Sequence, residues 1–167
     1  MNDDFPYDVA PITFQPKRLL KLADLLEADA DNPEGIKFNM GTWGQAEEGT
    51  KLALSCGTEA CAMGVAALSK AFHKQGLRYK TTKIIEYDRR GKVHHIVELE
   101  IYHVDALHDD DPILAAAHLF GISQNEANKL FMPSGDSPNK GKRAEKKVAS
   151  KIRAFVTSKL NESDQKA

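Results

Sequence analysis

The chain has 167 residues, 41% hydrophobic and 28% charged, which suits one globular domain and excludes wholesale disorder. A formal net charge of -1 argues against a protein that coats nucleic acid or an anionic membrane, and no apolar run approaches the ~20 residues that span a bilayer. An acidic amino end without a charged-then-apolar leader predicts a cytoplasmic setting, with both cysteines as reduced thiols and no membrane partner.

The charge is arranged in blocks. Residues 1–60 carry 11 acidic and 5 basic side chains, residues 61–104 carry 4 and 8, residues 105–132 carry 5 and 1, and residues 133–167 carry 4 and 9. Such alternation suits segments that attract one another, or a basic carboxyl-terminal helix offered to a partner.

In chain order, residues 1–15 hold Pro6 and Pro11 and read as an extended arm. Pro16 suits a first helical position, and Leu19, Leu22, Ala23 and Leu26 then make an apolar stripe that Pro33 and Gly35 terminate. An apolar loop follows from Ile36 to Gly44, with the single tryptophan, Trp43, as a core plug. Thr58 reads as the N-cap of a thin central helix on which Ala60, Gly64 and Ala67 leave almost no side chain, so that another backbone can lie close. Beyond Gly76 the period shortens to two. Residues 78–104 predict one β-hairpin turning at Asp88, Arg89, Arg90 and Gly91, with Val93, His95, Val97, Leu99, Ile101 and His103 on one face. An isolated hairpin is barely stable, so that face must lie on helices or pair with another strand or subunit.

Asp111 and Pro112 reopen helix, which Gly121 ends; Ser123 and Glu126 form a capping box for the next helix, which closes near Phe131. A last helix from about Lys142 to Leu160 buries Val148, Ile152, Phe155 and Val156, and residues 161–167 read as a frayed tail. The expected fold is α+β: a single, mostly helical domain over 16–160 with about five helices and one antiparallel hairpin.

The run Phe38, Asn39, Met40 with Trp43, the run Cys56, Gly57, Thr58 with Cys61, and the late Leu130 and Phe131 resemble a pattern shared by small phage- and prophage-associated bacterial proteins: an F-[DN]-M-x-x-W loop, a C-G-T-x-x-C helix start and a closing L-F. The likeness covers roughly residues 18–72 and 112–156. It implies a compact, largely helical fold and a mobile-element setting, and it carries over no catalytic residue and no cofactor.

Chemistry-bearing candidates are few. Cys56, Gly57, Thr58 and Cys61 could make an anion or thiol site at a helix start, or pack as small residues. Cys56 and Cys61 with His103 and His108 have a permissive zinc spacing. Residues 113–131 resemble a helix-turn-helix in which Gln124, Asn125 and Asn128 could meet base edges, although Lys129 is the only base nearby. Arg89 and Arg90 at the hairpin turn, with Lys142, Arg143, Lys146 and Lys147 on the last helix, are the candidate binding residues. The functional expectation is a small non-enzymatic adaptor that recognises a protein or nucleic acid, with self-association through the hairpin edge. A DNA-binding regulator and a thiol- or zinc-dependent enzyme are the alternatives.

Overall fold

The computed structural model describes residues 13–106, 111–135 and 138–166. Helix α1 (Pro16–Asp31) begins on its proline and buries Leu19, Leu22, Ala23 and Leu26, the stripe expected from their spacing. Five strands follow with one short α-helix and one 3-10 turn (His73–Gln75) between them: β1 (Lys37–Phe38), β2 (Gly44–Glu47), β3 (Thr58–Ala60), α2 (Ala62–Leu68), then β4 (Leu77–Tyr87) and β5 (Val93–His103). Helices α3 (Pro112–Phe120), α4 (Gln124–Phe131) and α5 (Lys142–Gln165) complete the chain.

The α+β class and five α-helices are present among the described residues, but they do not pack on a single antiparallel hairpin, and strand takes a larger share than the expected mostly helical domain would give it. The sheet has five strands in the order β1-β3-β2-β5-β4, with β1 and β3 parallel and the other neighbours antiparallel. The expected hairpin is its β4–β5 edge. The loop from Ile36 to Gly44, the helix start at Thr58 and residues 45–47, which carried no expectation, supply the other three strands.

Thr58 shows why. It is not an N-cap: its hydroxyl accepts from Ala53 N at 3.2 Å, and its strand pairs with β1 on one side and β2 on the other. Ala60 O accepts from Asn39 N at 2.9 Å and Cys61 N donates to Thr42 O at 3.0 Å, so these groups are satisfied across the sheet rather than along a helix. Helix α2 starts at Ala62, with Cys61 as its N-cap, and all seven of its residues are buried.

The close approach expected at Gly64 is real. A Cβ there would lie 2.0 Å from Trp43 O, so the loop backbone rests directly on α2. Helices α2 and α3 cover the inner face of the sheet, and α1 packs on α2 and α5. Phe120 lies between Phe72 and Phe131, with ring centroids 5.9 and 5.7 Å away. Each such buried side chain contributes roughly 1.5–3 kcal/mol of apolar burial.

The charge blocks meet along the solvent-facing seam between α1 and α5. On α5, Arg153 bonds Asp24 at 2.6 Å and Glu27 at 2.9 Å, and Lys146 pairs with Asp31 at 2.7 Å. Rising numbers on α1 meet falling numbers on α5, so the two helices run antiparallel as an acidic and a basic partner. Helix α5 continues to Gln165, past the end its apolar stripe suggests.

Candidate interaction surface

Side chains alternate along each strand, so the sheet has one face under the helices and one open face. Lys37, Glu59, Gln45, Glu98 and Thr82 form one rung of the open face through their paired registers. On it lies a shallow cavity of about 390 Å³ lined by Lys37, Gln45, Glu47, Glu59, Cys56 and Gly57 among others. Asn39 Nδ2 donates to Glu59 Oε1 at 2.5 Å at its edge.

The residues grouped as an anion or thiol site therefore part company. Cys56 and Gly57 are exposed and line the cavity, whereas Thr58 and Cys61 point into the core. Burial pushes the Cys61 thiol up to about 11, which leaves negligible thiolate at neutral pH. The same division separates the zinc candidates. His103 is buried with Nε2 2.7 Å from Gln75 O and Nδ1 3.1 Å from Asp105 N, and it stacks on His118 at 5.5 Å. His108 lies outside the described residues. Among the described residues, no group of three or more His, Cys, Asp or Glu is placed to hold a metal ion.

The basic candidates separate too. Lys142 Nζ donates to Asn32 O at 2.5 Å and Lys146 is bound to Asp31, whose carboxyl it holds below the usual range. Arg143 is exposed in the first turn of α5, and Lys147 borders a small cleft with Met40 and Pro138. Arg89 and Arg90 project from the β4–β5 turn, which Asp88 closes by accepting from Arg90 N at 2.8 Å and Lys92 N at 2.9 Å. The Lys92 amide leads in holding Asp88 below its ordinary value. Strand β1, beside α5, and strand β4 are opposite edges of the sheet, four strand spacings or roughly 19 Å apart. The two basic groups do not form one surface.

No protein-family model, curated protein or solved structure matches the chain. Its surfaces are read from their own geometry, and the ribbon formed by β4 and β5 is the most distinctive. Both strands have eleven residues, far longer than their neighbours. On the inner face Leu77, Leu99 and Ile101 lie under helices, but the same stripe runs on to Ile85 (56% exposed), Tyr87 (71%) and Val93 (43%). The even spacing of apolar residues marks the stripe in the sequence; nothing local marks where the helical cover stops.

The α3–α4 unit has the expected caps. Asp111 accepts from Ile113 N at 2.9 Å, and Ser123 and Glu126 bond each other's backbones at 3.1 and 2.8 Å. Gln124, Asn125, Asn128 and Lys129 are exposed while Ala127, Leu130 and Phe131 are buried. Between α4 and α5 an open groove of about 490 Å³ has Leu130, Ala154 and Phe155 on its floor and Lys129, Lys151 and Lys159 on its rim. Lys159 is paired with Glu126, and Lys151 donates to Lys129 O.

One residue passed over in the sequence is Glu145. It is fully buried, and neither carboxylate oxygen has a hydrogen-bond partner. Burial, then the nearby Asp29 carboxyl, push its pKa up to about 9. Its spacing gave the signal: Glu145, Val148, Ala149 and Ile152 fall at i, i+3, i+4 and i+7 on the buried stripe of α5. Among the described residues no helix is long and apolar enough to cross a membrane.

Proposed function

We propose that this chain is a non-catalytic binding protein of the cytoplasm, of the phage or mobile-element type its motifs resemble, and that it recognises a macromolecular partner through the β4–β5 ribbon. The uncovered outer half of that ribbon carries the reading: Ile85, Tyr87 and Val93 are exposed next to Arg89 and Arg90. Exposed tyrosine and arginine beside branched aliphatics is the composition enriched where protein surfaces meet. The lysines of α5 contribute less, since Lys142 and Lys146 are already held by α1. The motif residues Phe38, Cys61, Leu130 and Phe131 are buried, which supports treating the pattern as a packing signature and leaving recognition to the exposed elements.

The test is retention of partners by immobilised protein. Arg89→Glu with Arg90→Glu should abolish retention, while Lys37→Ala with Cys56→Ser, in the open-face cavity, should leave it intact. The reverse pattern would transfer the function to the cavity.

A second reading, a DNA-binding regulator, is favoured by the exposure of Gln124, Asn125, Asn128 and Lys129 on a capped second helix. It predicts a mobility shift that falls with rising salt and disappears in Lys129→Glu. Absence of any shift at low salt would exclude it.

A further inference from the structure

We infer that the free edge of β4 binds β4 of a second copy of this chain, in an antiparallel register centred on Thr82. This deepens the ribbon reading by naming the occupant of its edge, and it leaves the Arg89–Arg90 turn open for a different partner.

The first support is directional. Gly76 O accepts from Val104 N and Lys92 O from Asp88 N, both at 3.0 Å, so hydrogen-bonded pairs bracket the ribbon at even-numbered residues of its first strand. Because such pairs alternate in an antiparallel ladder, the even residues of β4 turn their backbone toward β5. Tyr79, Thr81, Lys83, Ile85 and Tyr87 turn theirs outward, and among the described residues β4 has no other neighbour in the sheet.

The second is register. Outward groups can meet only if odd residues face odd residues, which confines a two-fold pairing to alternate registers. Centring on Thr82 engages residues 79–85 with about four hydrogen-bonded pairs, because Leu77 N already donates to Phe72 O and Leu77 O accepts from the Arg78 guanidinium. It sets Arg78 opposite the partner's Glu86, and Glu86 opposite the partner's Arg78, as close cross-strand pairs of opposite charge. Centring on Lys83 would set that lysine against itself. The Arg78 guanidinium also donates to His73 O, which uses only part of its donor set.

The third is the uneven cover of the ribbon. A two-fold axis normal to the sheet keeps both helical layers on one side and lays each bare outer half beside the partner's covered inner half. Exposed Ile85 then neighbours the partner's Tyr79, and exposed Tyr87 the partner's Leu77. The apolar residues stranded on a monomer become the seam of a ten-stranded sheet.

Sedimentation over a concentration series tests this. Wild type should be a dimer, and Arg78→Glu or Glu86→Arg should each weaken it roughly ten-fold by setting like charges opposite. The double variant Arg78→Glu with Glu86→Arg should restore it. In a Cys56→Ser background, Thr82→Cys should give a disulfide-linked dimer on oxidation and Lys80→Cys should not, because the two copies of residue 80 are about 13 Å apart. A monomeric wild type, or a dimer indifferent to the charge exchange, overturns the pairing. Arg89→Glu with Arg90→Glu should leave the dimer intact, so a monomer whose partner retention still depends on those arginines would refute this pairing and spare the ribbon reading.

Discussion

Ile101 and Ile85 lie on the same face of one β-ribbon, yet Ile101 is wholly buried and Ile85 is 56% exposed. The helical layer ends between them, and the difference in burial should appear directly in stability. Ile101→Ala should cost about 2–5 kcal/mol, since it removes core contacts and leaves a cavity. Ile85→Ala should cost less than about 1 kcal/mol in the monomer. Urea unfolding of both variants at low protein concentration checks this.

Glu145 makes stability depend on pH in an unusual direction. Its carboxyl is raised from an ordinary 4.5 to about 9 by burial, with Asp29 adding to the shift and Lys142 opposing it. The folded state therefore holds a proton that the unfolded state releases. This contribution is fully present below about pH 4.5 and is lost progressively as pH rises through 9. Glu145→Gln should flatten the loss, so its advantage over wild type should grow from pH 5 to pH 8 in paired denaturation curves.

Gly64 bears the backbone of Trp43, with 2.0 Å between the oxygen and a hypothetical Cβ. Gly64→Ala must displace the loop or the helix, and should cost more than about 2 kcal/mol or prevent folding. Thermal unfolding beside Gly135→Ala, where a Cβ meets nothing within 4 Å, separates crowding from any general effect of replacing glycine.

The two thiols should differ in accessibility to reagent. Cys56 is exposed and Cys61 is buried. A thiol reagent at neutral pH should label one group in the native protein and the second only on unfolding. Rapid labelling of both would contradict the packing of α2 against the Trp43 loop.

What could be read from the sequence was local chemistry. Pro16, Asp111 with Pro112, and Ser123 with Glu126 mark helix starts through their own fixed φ or side-chain acceptors, and the structure uses each as a start. The strands β1, β2 and β3 were not legible because each has four residues or fewer and exists through partners distant in sequence, as Phe38 does through Ala60. Thr58 illustrates the ambiguity: a threonine after glycine suits a cap or a strand, and the neighbouring strands decide. The candidate surface was half legible. Alternation marks the stripe from Val93 to His103, but where its cover ends depends on how far α2 and α3 reach across the sheet.

Photo-crosslinking inside a bacterial host tests most directly whether the ribbon is where this protein meets its partner. A photoreactive side chain at position 90, on the turn, should give an adduct heavier than the chain itself, and the same group at position 47, in the open-face cavity, should give none. Adducts from position 47 with none from position 90 would contradict the ribbon as the recognition element.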